Sequence, residues 1–236
     1  MTATTSGQSV REQVAWACRI LALEGFSDLT LGHVSARPAG GDTVYIKRKG
    51  PALDEVCPDD VVDAADPTAG LHLETVIHTA IYDARPDVGA VVHGHPPYTT
   101  AFGATGAELK LLTHDAVLFA DGLAYFDATA DLISTEEQGR AVADALGDRR
   151  AVVLRNHGAV VADRDVRWAV LSAVTLERAV RLQAIASTLG PLRPISRDDG
   201  REMQAGKYQD RFIDEYWEAW VRRVRRAGAD EWMPPA

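Results

Sequence analysis

Two short apolar runs in this chain lead into histidine, and together they constrain its fold more than any other feature. Val88-Gly89-Ala90-Val91-Val92 leads into His93-Gly94-His95, and Ala151-Val152-Val153-Leu154 leads into Arg155-Asn156-His157-Gly158. Such small and β-branched runs read as short buried strands. Side chains at i and i+2 of a strand share a face, so His93 and His95 can reach one point if the strand continues through Gly94. Gly94 leaves room there for a ligand or a backbone to come close. Neutral imidazole ligates zinc, manganese, iron, cobalt or nickel, and three imidazoles leave a coordination position open for substrate. On the residues alone two readings stand: three histidines holding a divalent metal ion, or hydrogen-bonded histidines at strand rims.

The rest of the chain alternates helical and extended patterns. Ser9 to Glu24 reads as an amphipathic helix with Val14, Cys18, Ile20, Leu21 and Leu23 on its apolar side and Gly25 as its cap. Thr43 to Lys47 alternates as a strand and is broken by Gly50-Pro51, and Val61-Val62 within Asp59 to Asp63 suits another strand. Leu73 to Asp83 is predicted helical, with Glu74 and His78 four apart on one face. Pro96-Pro97 ends the first histidine strand, and a helix is expected from Tyr98 to Phe102. Ala116 to Tyr125, apolar with Gly122 inside it, is predicted to form one or two strands. Ser134-Thr135-Glu136-Glu137 reads as a capping box with Ser134 at the N-cap and Glu137 at N3, and Gly147 ends that helix. Ala159 to Ala162 is a strand returning from the His157 turn. Asp165 then caps a long helix carrying Trp168, Leu171, Val174, Val180, Leu182 and Ile185, closed by Gly190-Pro191. From Asp199 to Arg226, the residues Tyr208, Phe212, Tyr216, Trp217 and Trp220 recur at helical spacing as a packing stripe. Arg222-Arg223 and Arg225-Arg226 suit a solvated face or a subunit contact. Helices interleaved with strands define an α/β class.

Composition excludes several functions. The 236 residues contain no Pro/Gly/Ser-rich linker and no repeat, so one domain is expected. A net charge of −9 argues against a general nucleic-acid binder. No apolar run approaches the ~20 residues of a membrane span. Met1 to Ser6 lacks the basic and apolar regions of a signal peptide, and Cys18 and Cys57 read as reduced thiols. A cytoplasmic protein is therefore expected.

The segment from about residue 8 to 190 resembles the class II aldolase/adducin-like family. The matching pieces are Gly32-His33-Val34-Ser35 (the Gly-x-x-Ser turn), Glu74 with His78 on the following helix, Ala84-Arg85-Pro86-Asp87, Val91-Val92-His93-Gly94-His95-Pro96 and Asn156-His157-Gly158. The resemblance implies a single domain over residues 1–236, with a C-terminal helical extension at 196–227. Its sheet would be central and largely antiparallel, flanked by helices on both sides. It further implies a divalent metal ion (zinc, manganese, iron or cobalt) on His93, His95 and His157. Glu74 would be a further ligand or the catalytic acid/base, its pKa brought towards neutrality by desolvation. The implied assembly is a homotetramer with its sites at subunit interfaces.

Departures from the aldolase pattern bear on substrate. Sugar-phosphate aldolases of this family place two serines before the catalytic Glu and a Thr-Gly turn after the preceding strand. Here those places hold His72-Leu73 and Lys47-Arg48-Lys49-Gly50. Leu73 offers a phosphate no side-chain donor, whereas arginine binds carboxylates bidentately. Gly32-His33-Val34-Ser35, His72 and the Leu189-Gly190-Pro191-Leu192 helix exit resemble the decarboxylase-like branch, which acts on hydroxylated aromatic or heteroaromatic dicarboxylates. Lys47 and Arg48 either pair with substrate carboxylates or belong to a solvated charge cluster at the strand end; Ser35 and His72 are further candidate substrate contacts, and His114, near where the aldolases carry a tyrosine acting across the subunit boundary, is either the proton donor or a rim histidine without a role. The ion would be a Lewis acid that stabilises the electron pair left when a carbon–carbon bond beside a carbonyl breaks. Two alternatives remain: an aldolase for an unphosphorylated hydroxy or keto acid, and a non-catalytic adducin-like interaction module.

Overall fold

A computed structural model describes residues 8–228; the Met1 to Ser6 stretch lies outside them. Seven strands form one sheet: β1 (His33–Ala36), β2 (Tyr45–Lys47), β3 (Val61–Asp63), β4 (Ala90–Gly94), β5 (Ala124–Phe126), β6 (Ala151–Leu154) and β7 (Gly158–Asp163). Their spatial order is β3-β2-β1-β4-β7-β6-β5. Every neighbouring pair is antiparallel except β5 with β6. The largely antiparallel α/β architecture read from the sequence is thus what the chain forms.

Helices cover both faces. On one lie α1 (Val10–Leu21), α3 (Pro97–Gly103), α5 (Val166–Leu189) and α7 (Asp210–Arg226). On the other lie α2 (Thr75–Ala84) and α4 (Glu136–Leu146), packed on each other. The strand period of two divides the residues between these layers. Ala90, Val92, Ala151, Val153, Ala159 and Val161 join the α1/α5 core, while Val91, Val152, Leu154, Val160 and Ala162 join the α2/α4 core. Trp16 of α1 and Trp217 of α7 are fully buried in the first layer. The aromatic C-terminal stripe therefore helps to pack this protomer.

Several local expectations need correction. Ala116–Phe119 is a 3-10 turn, and only Ala124–Phe126 is extended. The Ala116 amide donates to the Thr113 carbonyl (3.1 Å) and hydroxyl (3.2 Å), closing a turn that a wholly buried apolar run does not announce. The capping box of α4 sits one residue later than read, with Thr135 as N-cap and Gln138 at N3. Gln138 reaches back to the Thr135 amide as a glutamate would. Of the Gly-His-Val-Ser segment only Gly32 turns, at φ +74°; His33–Ala36 is strand β1. The C-terminal region is two helices, α6 (Arg197–Lys207) and α7. The Ala84-Arg85-Pro86-Asp87 motif is a clamp: Arg37 donates to the carbonyls of Val88, Arg85 and Pro86, and Arg85 pairs with Asp87.

Candidate metal centre

The site forms where β4, the β6–β7 hairpin and the start of α2 meet. Glu74 stands at the N-cap position of α2. His93 lies in β4 and His95 just beyond that strand's last residue. His157 closes the hairpin turn, which Asn156 allows by adopting the left-handed conformation (φ +54°) that Asn tolerates better than most residues. Tight approach is required at Gly158 rather than Gly94. A Cβ on Gly158 would stand 2.4 Å from the Gly94 carbonyl oxygen and 2.7 Å from the His95 ring, whereas one on Gly94 would make only an ordinary contact with Phe26.

One ligand atom from each of Glu74, His93, His95 and His157 lies within 4.8 Å of the others. His93 Nε2 is 3.3 Å from Glu74 Oε2, and His157 Nε2 is 3.4 Å from Glu74 Oε1. The far nitrogens are already committed. His93 Nδ1 donates to the Ala159 carbonyl (3.1 Å) and His95 Nδ1 to Asp28 Oδ2 (2.9 Å). That leaves Nε2 of both rings as bare acceptors, the arrangement by which an outer hydrogen bond orients a metal ligand. His93 Nε2, His95 Nε2 and Glu74 Oε1 are buried with no hydrogen-bond partner. Unpartnered buried polar atoms are costly, and three of them converging on one point fit a cation.

Electrostatics agree. Burial lowers the His157 pKa to about 4 and also lowers that of His95. Both rings are therefore neutral, the form that binds metal. Glu74 corrects the expectation of a pKa near neutrality. Burial does oppose its ionisation, but the close imidazoles of His33, His93 and His157 outweigh it and hold the carboxyl well below its ordinary range.

The expected substrate residues separate into two groups. His72 borders the cluster through His33, the ring centroids 4.6 Å apart, and its pKa falls to about 4 through burial and then the charge of Lys47. Lys47 is fully buried; its Nζ donates to the carbonyls of Thr30 (3.1 Å) and Arg48 (3.3 Å) and to His72 Nε2 (3.3 Å). Arg48 instead pairs with Asp60 at 2.6 Å. Ser35 is fully buried, its hydroxyl occupied by His78 and Tyr82, so it does not open onto the cluster as a substrate contact would. His114 is exposed, accepts from Lys207 Nζ at 3.0 Å and does not join the cluster within one protomer. Asp28 was missed because it lies in a loop and meets His95 only in three dimensions. Tyr82 could have been found, since Glu74, His78 and Tyr82 follow one another at i, i+4 and i+8.

A largely antiparallel sheet layered between helices thus carries, at a strand end, a three-histidine, one-carboxylate cluster that could hold a divalent metal ion. The profile described as Class II Aldolase and Adducin N-terminal domain matches residues 12–184, and the chain belongs to that family. It is 30% identical over 213 residues to the 3,4-dihydroxyphthalate decarboxylase of Arthrobacter keyseri, covering 82% of this chain and 85% of that one. It is 29% identical to the L-fuculose phosphate aldolase of Methanococcus maripaludis, over 73% of this chain and 94% of the relative. The solved L-fuculose 1-phosphate aldolase of Glaciozyma antarctica superposes with a TM-score of 0.82 at 22% identity, covering 99% of this chain and 96% of that one. The family comprises lyase-type enzymes, and among the described residues no helix is long and apolar enough to cross a membrane.

Proposed function

We propose that this chain is a divalent-metal-dependent carboxy-lyase acting on a hydroxylated aromatic or heteroaromatic dicarboxylate of the dihydroxyphthalate kind. The observation that carries the choice of an acidic substrate is Lys47. It is a buried ammonium with no ion-paired carboxylate among the described residues, and it donates to His72 beside the cluster. Burial lowers its pKa, an effect that the charge of Asp60 offsets only in part. The resulting positive potential matches a carboxylated ligand. Leu73, 66% exposed where phosphate-binding relatives would need a hydroxyl, gives a phosphate nothing to bind. Similarity to the Arthrobacter decarboxylase over most of both chains supports the same reading.

His93, His95 and His157 would hold the ion, with Glu74 completing the cluster or moving the proton. Bound there, a divalent zinc, manganese, iron or cobalt ion supplies Lewis acidity for the electron pair that departing carbon dioxide leaves behind. Lys47 and His72 orient the substrate carboxylate electrostatically. His114 of a neighbouring subunit serves as proton donor in a homotetramer with shared sites. Ser35, bonded to His78 and Tyr82, and Arg48, paired with Asp60, support the site from around it.

Purified protein loaded separately with Mn²⁺, Zn²⁺, Fe²⁺ or Co²⁺ and given 3,4-dihydroxyphthalate should release carbon dioxide, and Glu74→Gln should lower turnover roughly 10²–10⁴-fold. Cleavage of a hydroxy-acid or keto-acid aldol with no decarboxylation would establish the aldolase alternative. Absence of bound metal and of both activities would favour the interaction module.

A further inference from the structure

A line of polar side chains runs from the cluster into the layer between β1 and α2. Each member is buried: His33 is 2% exposed, His78 and Ser35 not at all, and Tyr82 4%. His33 Nδ1 lies 2.7 Å from His78 Nε2, His78 Nδ1 lies 2.6 Å from Ser35 Oγ, and Ser35 Oγ lies 2.9 Å from the Tyr82 hydroxyl. At the other end His33 Nε2 faces Glu74 Oε2 at 3.8 Å, an electrostatic approach rather than a hydrogen bond. Two regular elements build the line. His33 and Ser35 are i and i+2 on β1, and Glu74, His78 and Tyr82 are four apart along α2.

The geometry points to a one-way hydrogen-bond chain, Tyr82 to Ser35 to His78 to His33, that locks His33 in the tautomer presenting Nε2–H to Glu74. His33, His78 and Ser35 are then positioning residues for the reaction. This rests on the reading of Glu74 as part of the reacting centre. The direction follows link by link. His33 stands outside the four residues whose ligand atoms converge, so a cation held there would not satisfy its Nε2 lone pair, and the nitrogen that faces the accepting carboxylate carries the hydrogen. Both rings are buried and neutral, so each has one donor and one acceptor nitrogen. His33 Nδ1 must therefore accept from His78 Nε2–H. His78 Nδ1 must then accept from the Ser35 hydroxyl, and the remaining Ser35 lone pairs accept from Tyr82. The opposite order would turn the His33 Nε2 lone pair towards the Glu74 oxygens in a low-dielectric setting, where an unpaired polar contact is most costly. The chain thus turns the His33 N–H towards the carboxylate from behind, an electrostatic counterpart of the hydrogen bonds that the Ala159 carbonyl and Asp28 accept from His93 and His95.

The test reads tautomers directly, without substrate. Protein labelled with ¹⁵N-histidine, metal-free and loaded with Zn²⁺, is examined by long-range proton–nitrogen correlation, with resonances assigned by single His→Gln substitutions. Wild-type protein should show His33 and His78 as Nε2–H tautomers in both states; an Nδ1–H signal at either ring overturns the proposal. Ser35→Ala should mix the His78 and His33 tautomers, and Ser35→Thr should restore them. Wild-type tautomers persisting in Ser35→Ala also overturn it. Tyr82→Phe frees Ser35 to reverse its bond, so it should loosen the same lock. This variant keeps the question open to experiment if Ser35→Ala does not fold. In carbon dioxide release from 3,4-dihydroxyphthalate, Ser35→Ala should lower kcat about tenfold, with KM within about twofold. Equal kcat in Ser35→Ala and wild type would refute a role in the reaction. Wild-type protein that does not decarboxylate would refute the substrate reading alone, leaving the chain to be decided by its tautomers.

Discussion

The two faces of strands β1 and β4 are made from alternate residues of the same short segments, yet they do different work. Towards α1 and α5 they present Val34, Ala36, Ala90 and Val92, all apolar. Towards α2 they present His33, Ser35, Val91 and His93, which are no more exposed than the valines opposite. Cross-strand register puts His33 beside His93 and Ser35 beside Val91. Burial alone therefore does not distinguish structural residues from functional ones here. What distinguishes them is hydrogen bonding: on the polar face nearly every nitrogen and oxygen has a partner except those aimed at the cluster. Apolar burial on one face stabilises the layer in which the other face can keep unpaired ligand atoms.

The sharpest way to break this comparison is at the ligands. In the His93→Ala/His95→Ala double variant, bound metal should drop from stoichiometric to undetectable by elemental analysis, with metal-free Tm little changed. Stoichiometric metal in that variant would mean the cluster is not the site. An apolar counterpart on the same strand should behave in the reverse way. Val92→Ala removes two buried methyl groups and should cost roughly 2 kcal/mol in denaturant unfolding while leaving metal content intact. If Val92→Ala instead released metal, the division of labour between the faces would fail.

Much of this layout was legible in the sequence, for identifiable reasons. The strands that lead into His93 and His157 announce themselves because short runs of small and β-branched apolar residues have few other uses. The four-residue step from Glu74 to His78 carries helical geometry directly. Other features required the tertiary structure. The sequence could not show that Lys47 turns inward to Thr30 and His72 while Arg48 turns outward to Asp60, because adjacent strand residues alternate and the face depends on what the sheet packs against. Nor does it show Ala116–Phe119 as a 3-10 turn, since an apolar run buried on all sides has no period to read. Asp28 reaches His95 from a loop, and no local pattern marks that contact.

A smaller effect concerns pH. In the metal-free protein burial lowers His33 to about 3 and His72 and His157 to about 4, whereas unfolded histidine titrates near 6.5. Between these limits the unfolded chain binds more protons than the folded one, so stability falls as pH falls. Glu74, also depressed, acts in the same direction at still lower pH. The Tm of metal-free protein should therefore decline steadily from pH 7 towards pH 4. A Tm that rises on acidification would show that the polar face is charged in the folded state, contrary to the hydrogen-bond directions argued above.

The smallest expected effect tests the outer edge of the polar region. The Arg48 side chain is 43% exposed, and its ion pair with Asp60 is the kind of surface interaction worth roughly 0.2–1 kcal/mol. Asp60 is held in place independently: its other oxygen accepts from the Cys57 amide at 3.0 Å, so removing Arg48 does not strand it. Arg48→Ala should accordingly shift stability by no more than about 1 kcal/mol, leave metal content unchanged and alter KM for a dicarboxylate by less than about threefold. Lys47→Met, at the preceding residue, should raise that KM more than Arg48→Ala does, because it removes the one of the two cations that is bonded to His72 beside the cluster. If Arg48→Ala has the larger effect on KM, the substrate approaches over the exposed turn and the buried lysine serves the fold alone.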